Sequence, residues 1–150
     1  MSKLLIDVGN SAAKWAIFDG HTLNSNRHSG NFSELAEVLW LAAADAKAVW
    51  LASVRGESSD QSLVAELQAV GFSKVHLCGS AQHEDGLLNS YTEPSRMGAD
   101  RWFAMLGARA FKPGPLLVID VGSDVTCDLV ATDGRHLGGY IFPGPALMEA

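Results

Sequence analysis

The beginning of this chain starts again near its end, and that constrains its fold more than any other feature. Residues 4–23 read LLIDVGNSAAKWAIFDGHTL and residues 116–137 read LLVIDVGSDVTCDLVATDGRHL. Each copy runs through an apolar strand, Asp-Val-Gly, a small or polar residue, a second strand, an Asp-Gly turn and the start of a third strand. The interval from Asp7 to Asp19 nearly equals that from Asp120 to Asp133. A single apolar-Asp-Val-Gly run is an ordinary turn. Two copies, each followed at matching spacing by a hairpin signal, indicate structural duplication. The period is far too long for a solenoid, so a duplicated domain is expected.

Between the copies the pattern alternates strand and helix. Strands are expected over residues 3–8, 14–18, 48–52 and 75–78, with a further strand after Asp19-Gly20. Asn31 or Ser33 can cap a helix carrying Leu35, Val38, Leu39 and Ala42. Asp60 can open a second helix through Leu63, Leu67 and Val70, with Gly71 at its C-cap. A polar stretch runs from Gly79 to Met97, followed by a helix over 99–111. Lys112-Pro113-Gly114-Pro115 cannot continue that helix and forms the best linker in the chain. The expected division is therefore a first domain over 1–112 and the start of a second over 113–150. The second has its hairpin and third strand but no covering helices. An open apolar sheet face must be covered, so the chain reads either as truncated or as covered by a partner.

Composition narrows the function. With 47% hydrophobic residues the chain can build a core, and its formal charge of -6 offers no basic track for nucleic acid. Cys78 and Cys127 have no disulfide or metal-knuckle spacing and read as reduced thiols buried in strands. The five histidines lack metal-ligand spacing and read as surface or satisfied side chains. The four tryptophans read as core or interface residues, with Trp40 and Trp50 on the apolar pattern. The N-terminal apolar run is broken by Asp7 before it could serve as a secretory signal, and no run is long enough to span a bilayer. A soluble, cytoplasmic protein is the expectation.

Two constellations carry chemistry. At the tip of the first hairpin, Gly9 lets the backbone approach a phosphate, Asn10 and Ser11 add donors, and Lys14 adds a point charge. Asp7 can hold a divalent cation directly or through water. Asp120-Val121-Gly122-Ser123 repeats the arrangement, which a plain turn leaves unexplained. The second constellation, Gly98-Ala99-Asp100-Arg101-Trp102, opens the helix before the linker. There Asp100 is either a reactive carboxylate or simply a favourable charge at a helix start, and Arg101 either binds or is a surface charge. Gly138-Gly139 and Pro143-Gly144 read first as a strand bulge and turn that allow close backbone packing.

These motifs, with Tyr91 ahead of Gly98, occur in the order and approximate spacing of type III pantothenate kinases, which the chain resembles over essentially its whole length. The resemblance implies an α/β, duplicated actin-like (ribonuclease H-like) fold, with the first domain complete and the second only begun. In that fold two such hairpins, one per domain, grip the nucleotide phosphates. It implies ATP-dependent phosphorylation of pantothenate, the first step of coenzyme A biosynthesis, with Mg2+ and a monovalent cation, K+ or NH4+, and a homodimer. By resemblance Asp7, Val8, Gly9, Asn10, Ser11, Ala12, Ala13 and Lys14 form the ATP phosphate loop, and Ser123 touches ATP. Tyr91, Gly98, Ala99, Asp100 and Arg101 bind pantothenate, Asp100 is the proton acceptor, and Asp120 is the monovalent-cation ligand.

Ser11 and Ser123 stand where the family often has Thr, which keeps the hydroxyl. Asp124 replaces a small apolar residue and adds negative charge near the triphosphate. Other actin-like kinases or exopolyphosphatase-like enzymes share both hairpins but have no need of Asp100-Arg101. A ribonuclease H-like nuclease fits less well, since its two-metal site wants several clustered carboxylates and the acidic chain offers no basic track. A non-catalytic ATP-binding module of the same fold is the alternative from a different class.

Overall fold

Apolar strands with alternating burial build the first sheet of the computed structural model, which describes residues 2–29 and 32–149. In β1 (Lys3–Val8) the side chains of Leu4, Ile6 and Val8 are buried, and Ala13 and Trp15 of β2 (Ala12–Phe18) join them. β3 (Leu23–Ser29) completes the meander. β4 (Ala48–Ser53) and β5 (Val75–Cys78) add to β1 in parallel, in the order β3-β2-β1-β4-β5. A parallel pair needs a crossover. Helices α1 (Leu35–Ala43) and α2 (Glu57–Val70) supply the two crossovers, and Leu39 and Leu67 pack into the same core as Leu51.

The turns follow local chemistry. Between β2 and β3, Asp19 accepts the Thr22 and His21 backbone N–H groups at 2.8 Å each, and the Thr22 hydroxyl at 2.7 Å. The bonds from Thr22, then that from His21, lower the Asp19 carboxyl to about 2. Gly71 closes α2 with φ 126°, and its N–H bonds back to Gln68 and Leu67. A side chain there would also strike the Trp40 ring.

Compact units divide between Cys78 and Gly79, whereas the sequence-based boundary lies after Lys112. The reason is α3 (Ala99–Phe111), which buries Trp102 and Met105 in one cluster with Leu87 and Val130. The second sheet is antiparallel, in the order β10-β9-β8, from β8 (Leu116–Val121), β9 (Asp124–Val130) and β10 (His136–Pro143). A register shift between His136 and Gly138 is the expected bulge. A four-residue helix α4 (Pro145–Met148) follows.

Several local expectations change. The second strand begins at Ala12 rather than Lys14. α2 starts at Glu57, ahead of Asp60, because Gly56 with φ 92° makes the N-cap turn. Glu34 is the N-cap position of α1, after a 3-10 turn over Phe32–Glu34, and Asn31 lies outside the described residues. The stretch 79–97 is not structureless: β6 (His83–Glu84) and β7 (Leu87–Leu88) form a small hairpin about Asp85-Gly86, both with positive φ. Trp50 is 41% exposed, stacked on His76. Cys78 and Cys127 are half-buried.

Candidate active site

Each Asp-Val-Gly motif ends a strand, as its sequence implies. In the first unit, Asp7 pairs with Lys14 across β1 and β2, and the intervening turn is closed by the Gly9 N–H donating to the Ala12 carbonyl at 2.9 Å. Cross-strand pairing puts the Asp7 and Lys14 side chains on one face. Lys14 Nζ lies 4.0 Å from Asp7 Oδ2, and both side chains reach solvent. Val8 and Ala13 point the other way and are core. Asn10 and Ser11 are exposed at the tip, and Ala12 is half-buried. An ammonium, a carboxylate and a tight glycine turn at one tip fit a phosphate and its divalent cation. Mg2+ commonly uses only one or two protein carboxylates alongside phosphate oxygens. Among the described residues, no group of three or more His, Cys, Asp or Glu could hold a metal by itself.

In the second unit the copy is built in the same way. Asp120 pairs with Thr126 and Val121 with Val125, and the Gly122 N–H donates to the Asp124 carbonyl at 2.9 Å. Asp120 and Asp124 are exposed. The Gly144 N–H donates to the Ser123 carbonyl at 2.9 Å, and a Cβ on Gly144 would overlap the Gly122 and Ser123 carbonyls. The glycine of Pro143-Gly144 therefore allows the close backbone packing read from the sequence.

The residues around α3 form a cluster within the second unit. Gly98 is the N-cap position, its carbonyl accepting the Trp102 N–H at 3.1 Å, and Ala99 is buried. Asp100 occupies the first turn, where Oδ1 accepts the Arg101 N–H at 2.8 Å. Tyr91 is brought in by Asn89, whose side chain accepts the Tyr91 N–H at 2.9 Å and donates to the Ala81 carbonyl at 3.1 Å. The Tyr91 hydroxyl then accepts from Arg101 Nη1 at 3.0 Å. Tyr91, Gly98, Ala99, Asp100 and Arg101 thus come together.

The cluster contains residues that the sequence reading missed. The Arg101 guanidinium, 4% exposed, grips Asp128 of β9 side-on, Nε to Oδ2 at 2.9 Å and Nη2 to Oδ1 at 2.5 Å. His136 Nε2 lies 2.9 Å from Asp128 Oδ1, and Ser90 Oγ lies 2.8 Å from His136 Nδ1. The Tyr91 and His136 rings stack at 6.3 Å. The hydrogen bonds that Arg101 donates to Asp128 hold it above its ordinary guanidinium pKa. Burial pushes the Asp128 carboxyl up, but the hydrogen bonds from His136 and then Arg101 outweigh it and hold it below the ordinary value. A signal was available in the chain. Thr126, Asp128 and Val130 share the inward face of β9, and a charge on a core face requires a partner.

The sequence profile of the family described as type III pantothenate kinase matches residues 3–150. A type III pantothenate kinase of Thiobacillus denitrificans is 38% identical over 98% of this chain and 59% of its own length. One from Pseudomonas aeruginosa is 36% identical over 98% of this chain and 60% of its own. The chain therefore spans about three fifths of the length of these relatives. Among solved structures, a putative 2-dehydro-3-deoxygalactonokinase from Sinorhizobium meliloti superposes with TM-score 0.59 at 14% identity, over 98% of this chain and 55% of that one. An exopolyphosphatase from Cytophaga hutchinsonii gives 0.57 at 13%, over 99% and 53%. The fold is the α/β actin-like fold of these proteins.

Proposed function

We propose, from the premise that this chain belongs to the type III pantothenate kinase family, that it phosphorylates pantothenate with ATP to open coenzyme A biosynthesis. The observation that carries this reading is the Tyr91–Arg101 hydrogen bond beside Asp100 in the first turn of α3. A carboxylate, a cation and a phenol at one helix start suit a substrate that carries both a hydroxyl and a carboxylate.

Asp100 accepts the proton of the substrate hydroxyl as the new phosphorus–oxygen bond forms. Arg101 and Tyr91 orient the substrate carboxylate by charge-assisted hydrogen bonds, and Gly98 and Ala99 shape the approach. Residues 7–14 and Ser123 hold phosphate oxygens, with Lys14 as a point charge and Asp7 as ligand to a divalent cation, directly or through water. When bound, Mg2+ neutralises charge on the phosphates, so catalysis is mostly positioning and charge neutralisation. Asp120 coordinates K+ or NH4+. The working protein is a cytoplasmic homodimer, with residues 1–112 belonging to the first actin-like domain and 113–150 opening the second.

The test is an ADP-release assay on the complete gene product with a panel of primary alcohols. Turnover with pantothenate above the other alcohols is expected, stimulated by K+ over Na+. ATP binding without transfer to any alcohol would overturn the kinase reading, and equal rates in the two salts would remove the cation role alone.

A further inference from the structure

Behind Arg101, Asp128 and His136 are buried and reach an exposed Ser90, and the proposed reaction does not itself use these three residues. Asp128 is 1% exposed and His136 3%. Burying a charge is costly unless its partners are well placed, and here both carboxylate oxygens are engaged by Arg101 and one also by His136. A network of this kind fixes side chains that would otherwise sample several rotamers. A free arginine side chain has rotamer entropy to lose before it can bind anything.

We infer that Asp128, backed by His136 and Ser90, is the positioning residue that presents Arg101 to the substrate carboxylate. The inference rests on the reading that Arg101 meets that carboxylate. Asp128 takes the Nε–Nη2 edge of the guanidinium and Tyr91 takes one hydrogen of Nη1. A guanidinium has more N–H groups than these bonds consume, so hydrogens on Nη1 and Nη2 remain for a second carboxylate. His136 acts one step further out: bonded to Ser90 through Nδ1 and to Asp128 through Nε2, it sets the orientation of the Asp128 carboxylate. Gly139 pairs with Asp128 across the β9–β10 ladder and has no side chain to displace it.

The test uses the complete gene product with Asp128→Asn and His136→Gln. An asparagine at 128 offers Arg101 one acceptor and one repelling N–H group, which breaks the side-on grip while keeping the volume. Steady-state kinetics should show KM for pantothenate raised roughly tenfold or more, with KM for ATP within about twofold of wild type. His136→Gln should move the same constant in the same direction by roughly threefold, as expected for one weakened hydrogen bond. Competition with pantothenyl alcohol, which lacks the carboxylate, separates positioning from general damage, because its affinity should be unchanged. Equal weakening of pantothenate and the alcohol, or a pantothenate KM that stays put or falls, would overturn the inference. If Asp128→Asn does not fold, His136→Gln decides by the same criteria. Absence of wild-type turnover with pantothenate would instead remove the proposed function, an outcome distinct from normal wild-type turnover with unaffected variants.

Discussion

Gly139 lies directly across the strand pair from Asp128, so close that a methyl group in place of its hydrogen would overlap Asp128 Oδ1 and sit 2.7 Å from Arg101 Nη2. Its φ is not in the left-handed region, so space and not backbone freedom makes glycine necessary there. Gly139→Ala should therefore push the buried pair apart, destabilising the second unit by about 1–3 kcal/mol, as over-packing does. Urea unfolding of wild type and variant measures this directly. A change within error would mean that the ion pair moves aside without cost.

Asp100→Asn tests the proton acceptor. The amide keeps the size and the hydrogen bond to the Arg101 N–H but cannot take a proton at neutral pH. In the complete gene product kcat should fall by about 10²–10⁴-fold, with ATP affinity little altered. Near-normal turnover would leave Asp100 as a helix-start residue only.

Nucleotide binding should depend on both repeated loops. Asp7→Ala removes the carboxylate beside Lys14. Gly122→Val adds bulk where a Cβ meets nothing nearer than the Asp124 carbonyl at 3.6 Å, so the variant should fold and lose close backbone approach to phosphate. Calorimetric titration with ATP should show weaker binding for each, with unchanged circular dichroism. Undiminished affinity in both variants would sink the two-loop assignment.

Stability should depend on pH through Asp128. Its carboxyl is held below the ordinary value by His136 and Arg101 against the opposing effect of burial. A depressed native value contributes stability that is fully present above the unfolded-state value of about 3.9, and is lost as pH falls through the native one. Wild type should lose stability on acidification through and below that range. Asp128→Asn should start less stable and lose less over the same range. Parallel pH curves for the two proteins would show that Asp128 is not the linked group.

The outer face of the second sheet predicts association of the 150-residue chain. Leu117 and Ile119 are 60% and 56% exposed, and Leu117 lines a shallow apolar hollow with Cys127, Leu129, Leu137, Gly138 and Tyr140. Contiguous apolar surface of this kind drives self-association. Light scattering should detect dimers or larger species, and Leu117→Lys with Ile119→Lys should reduce them. A monodisperse monomer before any substitution would refute this.

Local and repeated features were legible in the sequence. The duplicated Asp-Val-Gly hairpins, the α/β alternation and the 99–111 helix follow from period, turn residues and caps, which act over a few positions. Even the hairpin missed in the 79–97 stretch carried its signal, the Asp85-Gly86 pair whose positive φ values suit those residues. Grouping Tyr91 with Gly98–Arg101 needed the family resemblance, since the segment between them has no periodicity.

What only the tertiary structure decided is where the buried charges go. From the sequence Arg101 is a cation at a helix start, available to a ligand. In the fold it is first a partner of Asp128 on β9, which is held in turn by His136 on β10. Nothing in local spacing links positions 101, 128 and 136. Their pairing arises because α3 packs on the inward face of the second sheet, where a buried carboxylate or guanidinium is costly without the other.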